Sequence, residues 1–281
     1  MIVTINDDFD LEKIRDSGEC FRVKRFEDDT YRFIKKDNVL YIKNAEGNLY
    51  EISCSEEDWN GFWYDYFDMG RNYADIRDRL SCEDSYSLAA VEFSRGIRIL
   101  KQDPWETLFS FIISQNNNIP SIKKSIEALC EAFGSPKMDN SGDPFFCIPS
   151  PQALSQAKGY ELKKAGVGYR DKYLSAAAKA VAVNKTDLAA IAKMNDQDAL
   201  AQLKKINGVG DKVGSCVLLF GFHRLNAFPI DTWIKKILER EYNNEYPLDD
   251  YSPYNGLYQQ YMFAYYRNKA SLASELDKET E

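Results

Sequence analysis

The spacing of apolar positions changes near residue 85 and divides the chain in two. Before that point the spacing is mostly two, as in half-buried antiparallel strands. Tyr31-Arg32-Phe33-Ile34, Val39–Lys43 and Leu49–Ile52 follow it, with turn sequences at Lys36-Asp37-Asn38 and Glu46-Gly47-Asn48. One short helix, Leu11 to Asp16, is capped by Asp10 and stopped by Ser17-Gly18. Trp59, Phe62, Trp63, Tyr66 and Phe67 form an aromatic cluster. We read it first as a packing face between the sheet and the next domain, and second as a surface for base stacking.

From about Ser85 onward the spacing becomes helical. Ala89 to Leu100 carries Val91, Ile97 and Leu100. Asp103-Pro104 opens a helix that buries Trp105, Leu108, Phe111 and Ile112 and stops at Gln115-Asn116-Asn117-Asn118. Ser121 to Phe133 is amphipathic and ends at Gly134. A Pro- and Gly-rich loop runs from Asn140 to Pro151, followed by helices near Pro151–Gln156, Tyr160–Ala165, Tyr169–Val183 and Asp187–Lys193. The expected fold class is α+β: a small N-terminal antiparallel β domain over residues 1–85, then a large all-α domain over residues 86–281.

Residues 195–222 of the helical part read as helix, glycine turn, helix. Asn195 or Asp196 caps the first arm, and Leu200, Leu203 and Ile206 share its inner face. Asn207-Gly208-Val209-Gly210 holds the residue types that tolerate positive φ. The second arm, Asp211 to Phe222, turns Val213, Cys216, Val217 and Phe220 inward. A turn that aims backbone N–H groups outward at a helix start is an anion site, and phosphate is the expected anion. Lys212 falls in the first turn of that arm, where a cation opposes the helix dipole. Something other than helix stability selects it.

Charge and cysteine usage narrow the picture. A net charge of -8 and a pI near 5.0 oppose a general polyanion binder, so any nucleic-acid face must be a local basic patch. The 6 cysteines form no C-x-x-C pair and no secretory leader precedes them, which fits reduced thiols in a prokaryotic cytoplasm. No cysteine follows Cys216, which leaves no four-cysteine iron–sulfur loop after the hairpin. The single histidine, His223, excludes catalytic triads and histidine metal clusters. The longest apolar run, near Val217–Phe222, is far short of a membrane span, and no membrane partner is expected.

Lys212 alone would pass for a solvated surface lysine. Asp231, which falls at the N-cap of the next helix, would pass for an ordinary cap. The pair says more. A helix start and partial burial both disfavour the ammonium form, and a free amine can attack a sugar carbon and form a Schiff base. A nearby carboxylate can stabilise positive charge developing on the sugar, as in glycoside cleavage. Beside a phosphate-binding turn, the sugar belongs to a nucleic acid.

Hairpin, lysine and downstream Pro229-Ile230-Asp231 together resemble the helix-hairpin-helix DNA glycosylase superfamily with its Gly/Pro…Asp signature, and the lysine resembles its bifunctional members. Other stretches are similar to the 8-oxoguanine DNA glycosylase branch. They are Ser17-Gly18-Glu19-Cys20-Phe21-Arg22, Tyr66-Phe67-Asp68, Gly96-Ile97-Arg98-Ile99-Leu100, Asp103-Pro104-Trp105-Glu106, Ser114-Gln115-Asn116-Asn117-Asn118-Ile119 and Gly166-Val167-Gly168-Tyr169-Arg170. The matches run from about residue 10 to 265.

The resemblance implies a monomeric repair enzyme that excises 8-oxoguanine from double-stranded DNA and then cleaves the abasic site. Lys212 would be the nucleophile and Asp231 the essential carboxylate. The carbonyl of Gly18 would accept from the protonated ring nitrogen that oxidised guanine alone carries. Phe263 would stack on the everted base, Gln259 would read its Watson–Crick edge, and Cys216 would pack on its other side. Asn116, Tyr169 and Arg170 would fill the vacated space and meet the orphaned partner base, while Gly208, Gly210 and Lys212 would meet the DNA backbone. No cofactor is required, although relatives hold a monovalent or calcium ion on hairpin carbonyls that match Lys204, Ile206 and Val209.

Two departures accompany the match. Pro120-Ser121 stands where relatives commonly have an arginine, which implies relaxed preference for the opposite base. Trp233 stands where a histidine is usual. The alternatives are another base-excision glycosylase, acting on alkylated bases, and a non-catalytic helix-hairpin-helix DNA-binding module.

Overall fold

The period-two segments pair with one another as their spacing requires. In the computed structural model, which describes residues 1–139 and 141–279 and side chains as far as residue 270, five strands form one antiparallel sheet. The strands are β1 (Ile2–Thr4), β2 (Lys24–Arg25), β3 (Tyr31–Lys35), β4 (Asn38–Glu46) and β5 (Leu49–Ile52), in the order β1-β5-β4-β3-β2. Phe33 lies opposite Leu40, and Ile42 lies opposite both Tyr31 and Ile52, so one face is continuously apolar. That face packs on Trp59, Trp63, Tyr66 and Phe67. Phe67 is 0% exposed and Trp63 2%, which leaves neither ring free to stack on a base. The aromatic cluster is a packing face.

The helical part differs from its expected outline at three places. The helix expected over Ala89–Leu100 is Ser85–Ser94, and the chain then runs extended from Gly96. This lets Ile97, Ile99 and Leu100 all enter the core, which a single helix face could not do. The helix expected from Ser121 begins at Ile119, because Asn118 is its cap and accepts from the Ser121 N–H at 2.9 Å. The expected loop contains a hairpin of β6 (Pro136–Met138) and β7 (Pro144–Phe146), two strands too short and proline-bounded to show a period. Asn140, where that loop was expected to begin, lies outside the described residues.

The glycine turn also differs in detail. Asn195 caps Asp196–Leu203, and Asp211–Cys216 follows the turn, continued by a π-helical stretch at Val217–Gly221. Only Gly208 takes a positive φ, +89°, whereas Gly210 is extended at -98° as the N-cap of the second helix. Gly208 is required twice over. A Cβ there would lie 2.2 Å from Cγ of Tyr173, so the ring and the turn share the same space.

The main core gathers helical residues from Leu108 to Tyr261 together with Phe21, Tyr73, Ile76 and Leu80 from the amino-terminal part. No described helix is long and apolar enough to cross a membrane. Arg98 fastens the two parts together. Its side chain is fully buried and donates to the carbonyls of Asp8, Phe67, Asp68 and Arg71 and, at 2.9 Å, to the Asp7 carboxylate.

Glu19 is buried against the same joint. Its Oε2 accepts from the Leu100 N–H at 3.1 Å, while Oε1 has no partner among the described residues. Burial raises its pKa from 4.5 to about 8, against the lowering effect of hydrogen bonds from Leu100 and Ser17. A carboxyl whose folded pKa lies above its unfolded value gives stability that is complete below pH 4.5 and is lost as pH climbs to about 8. Urea unfolding should therefore show the parent losing roughly 3–4 kcal/mol relative to Glu19→Gln between pH 5 and 8. Parallel pH curves for the two proteins would show that Glu19 ionises freely in the folded state.

Candidate active site

The glycine turn, the helix capped by Asp231 and the last helix converge on one cleft of about 590 Å³. Gly18, Phe111, Ser114, Lys212, Asp231 and Phe263 line it. These come from separate stretches of the chain, and the fold brings the expected nucleophile and carboxylate into one cavity.

Lys212 reaches the cleft from the first turn of Asp211–Cys216. Its Nζ donates to Ser114 Oγ at 3.3 Å and stands 4.9 Å from the centre of the Phe111 ring. The neighbouring acid, Asp211, is engaged by Lys204 at 2.5 Å on the outer side of the turn. Lys212 forms no ion pair among the described residues, so its amine is free to meet a ligand.

Asp231 caps Thr232–Glu241 as expected, its Oδ1 accepting from the N–H groups of Trp233 at 2.9 Å and Ile234 at 2.8 Å. Oδ2 takes no hydrogen bond among the described residues. One oxygen thus fixes the carboxylate and leaves the other for the cleft. Cys216, one turn after Lys212, is 2% exposed. Burial pushes its thiol up to about 11, with Lys212 pulling down and Asp231 pushing up. It is a neutral packing surface rather than a thiolate.

Gly18 and Phe263 form the facing wall. Gly18 sits at φ +82°, and a Cβ on it would fall 3.2 Å from Cε1 of Phe263. Gln259, one turn earlier on the same helix, is 4% exposed, and its Oε1 has no partner among the described residues. Gln259 and Cys216 are not part of the cleft lining. Gln260 escaped the sequence reading. Its Nε2 donates to the Ser17 carbonyl at 2.5 Å and so holds the loop that carries Gly18. Two adjacent glutamines give no sign of which one faces inward, and here both do.

The residues expected to meet the partner base form a second group. Asn116 is exposed at φ +47° and Tyr169 is 53% exposed. Tyr169 packs edge-on against Tyr173, the ring beneath Gly208. Arg170, expected to meet DNA, is instead turned to backbone carbonyls here. It is 7% exposed, and its guanidinium donates to the carbonyls of Val167, Gln115 and Asn116, the last at 2.8 Å. It braces the asparagine turn. Ser121 is exposed and its N–H is committed to the Asn118 cap. At the hairpin, the Ile206 carbonyl accepts from the Val209 N–H at 3.0 Å, which closes the turn. Among the described residues no His, Cys, Asp or Glu cluster has metal-binding geometry, so a cation there would rest on the carbonyls of Lys204, Ile206 and Val209.

Two family models match the chain: 8-oxoguanine DNA glycosylase, N-terminal domain, over residues 1–108, and HhH-GPD superfamily base excision DNA repair protein over residues 109–250. The N-glycosylase/DNA lyase of Saccharomyces cerevisiae is 37% identical over 53% of this chain and 42% of its own length. The N-glycosylase/DNA lyase OGG1 of Arabidopsis thaliana is 33% identical over 79% of this chain and 63% of its own. The chain thus spans less than two thirds of either relative. Among solved structures, MBOgg1 in complex with a low-affinity DNA ligand superposes with a TM-score of 0.90 at 38% identity, covering 96% of both chains. The Clostridium acetobutylicum 8-oxoguanine glycosylase/lyase, solved with double-stranded DNA containing cytosine opposite 8-oxoG, gives 0.86 at 33% identity over 96% of this chain and 98% of that one.

The cap geometry separates what Asp231 does for the fold from what it offers the cleft. Asp231→Ala removes both cap bonds and should lower unfolding free energy by about 1 kcal/mol. Asp231→Asn keeps an acceptor oxygen and should stay within a few tenths of the parent. Urea denaturation of the three proteins checks this, and equal losses in both variants would contradict it.

Proposed function

The chain belongs to the HhH-GPD superfamily of base excision DNA repair proteins, within its 8-oxoguanine glycosylase/lyase branch, and we propose that it excises 8-oxoguanine from duplex DNA and then cleaves the strand at the abasic site. The observation that carries this reading is the unpaired Lys212 sharing a cleft with a half-bonded Asp231, Gly18 and Phe263.

The lesion would be everted into the cleft and stacked on Phe263. The Gly18 carbonyl would accept its N7–H, a proton that guanine lacks. Guanine would instead set a lone pair against that carbonyl and leave it unsatisfied. The free amine of Lys212 attacks C1′, the C1′–N9 bond breaks, and the bonding pair leaves with the base, which takes up a proton. Positive charge grows on the sugar in this step. The cap holds Asp231 in place, so Oδ2 can stabilise that charge without reorienting. Loss of a second amine proton with opening at O4′ gives the imine between Lys212 and C1′. Removal of a C2′ proton then expels the 3′ phosphate, and water frees the lysine. No cofactor enters the sequence.

The backbone at Gly208 and Gly210 would hold a DNA phosphate next to the nucleophile. A cation on the carbonyls of Lys204, Ile206 and Val209 would brace that turn without entering the chemistry. The protein would act as a monomer, since every group in the proposed sequence comes from one chain.

Borohydride reduction of the imine tests the lysine directly. The parent should be trapped covalently on 8-oxoguanine duplex, and Lys212→Gln should bind the duplex without excision or adduct. An active parent that yields no adduct would exclude this mechanism. Asp231→Asn, folded as well as the parent, should lose excision by at least about a hundredfold, on the scale of a lost electrostatic group at a developing charge.

The opposite base should matter less than an arginine reader would make it. Ser121 has no guanidinium, and Arg170 is spent on carbonyls. A bidentate arginine contributes roughly 1–3 kcal/mol, or about 5- to 150-fold, to base discrimination. Excision opposite each of the four bases should vary by less than about tenfold, and a hundredfold preference for cytosine would refute this.

A further inference from the structure

Arg267 lies one turn beyond Phe263 on the last helix and lines the same cleft as Lys212 and Asp231. Its guanidinium carbon is 5.7 Å from the centre of the Phe263 ring. Its Nη1 would lie 3.7 Å from a Cβ on Gly18, beside the Phe263 ring at 3.2 Å. That nitrogen is buried and has no hydrogen-bond partner among the described residues. Arg98 and Arg170 aim their donors at carbonyls, and Arg22, whose Nη1 is likewise unpaired, does not line this cleft. Asp16, the acid whose charge reaches Arg267, is already paired with Arg15. Burial holds the Arg267 pKa below its ordinary value. A desolvated cation with an unused donor costs folding energy and braces nothing. It suits an acceptor that arrives with a ligand.

Position along the helix says which acceptor. Gln259, Phe263 and Arg267 follow one another at intervals of four, so they share a face, with the outer two about 12 Å apart along the axis. Both outer residues carry an orphaned polar atom, Oε1 of Gln259 and Nη1 of Arg267. A flat ligand on Phe263 that reaches past the cleft lining to Gln259 would present a donor there and an acceptor at the Arg267 end. On the proposed function, from which this inference proceeds, guanine's N1–H and amino group face Gln259. The opposite edge carries C8. We propose that Arg267 reads the lesion directly, its guanidinium donating to the carbonyl oxygen that oxidation places on C8. Unmodified guanine has a C–H there and would leave the buried donor unpaired, so discrimination rests on this contact as well as on the Gly18 carbonyl.

Binding in a Lys212→Gln background isolates recognition from chemistry. Kd is measured for matched duplexes carrying 8-oxoguanine, guanine or a stable base-less abasic analogue. Adding Arg267→Leu should weaken binding to the 8-oxoguanine duplex by about tenfold or more, the scale of a hydrogen bond to a charged donor. The guanine and abasic duplexes should change by less than about twofold. Arg267→Lys, which keeps a donor, should recover part of the loss. Equal weakening on all three duplexes would make Arg267 a support of the fold. Equal weakening on the two base-bearing duplexes would assign its donor to an atom that guanine shares. No change would leave the donor without this role. If Lys212→Gln with Arg267 intact binds 8-oxoguanine no better than guanine, the proposed function fails and this inference falls with it.

Discussion

The buried guanidinium of Arg98 is the constraint on which the rest of this molecule depends. A cation removed from water must have its donors filled, and Arg98 fills them from the segments around Asp7, Phe67 and Arg71. Those segments belong to the edge of the sheet and to the helical turns above it. The extended run that carries Arg98 also places Leu100, whose N–H is held by Glu19, and Glu19 follows Gly18 directly. The wall of the cleft is therefore positioned by a polar joint some distance behind it. Gln260 completes the placement through the Ser17 carbonyl.

The cleft itself is built by economy of atoms. Asp231 ends one helix with one oxygen and keeps the other unspent. The turn before Lys212 is fixed by Tyr173 filling the space above Gly208, and by Lys204 drawing Asp211 outward. Groups that a reaction needs are held still by neighbours that take no part in it, which is what preorganisation means in structural terms. Among the unsatisfied buried polar atoms, two flank the cleft's aromatic wall. Arg98 and Arg170 are spent on carbonyls, whereas Gln259 and Arg267 keep an atom in reserve on either side of Phe263.

Much of the fold was legible because it rests on local rules. Asp10, Asn195 and Asp231 are caps whose residue types announce helix starts, and the period-two segments could bury a face only by pairing. The family, too, could be read from dispersed short matches. Other features depend on tertiary partners and leave no local trace. The extended run after Ser94 exists because three apolar residues and a buried arginine must all face inward. Whether Arg170 meets DNA or a carbonyl depends on where Gln115 and Asn116 lie in space. Arg267 belongs to no motif in the sequence and sits midway along the last helix. Only the geometry shows it desolvated.

Glu19 carries a consequence for the conditions in which the protein is used. A carboxyl that stays protonated in the folded state does the work of an amide, and glutamate and glutamine codons differ by a single first-position base. At an acidic interior pH the two residues are interchangeable at this site. At an alkaline one, glutamate strains the loop behind the cleft. The loop behind the cleft is thus more tolerant of acid than of alkali.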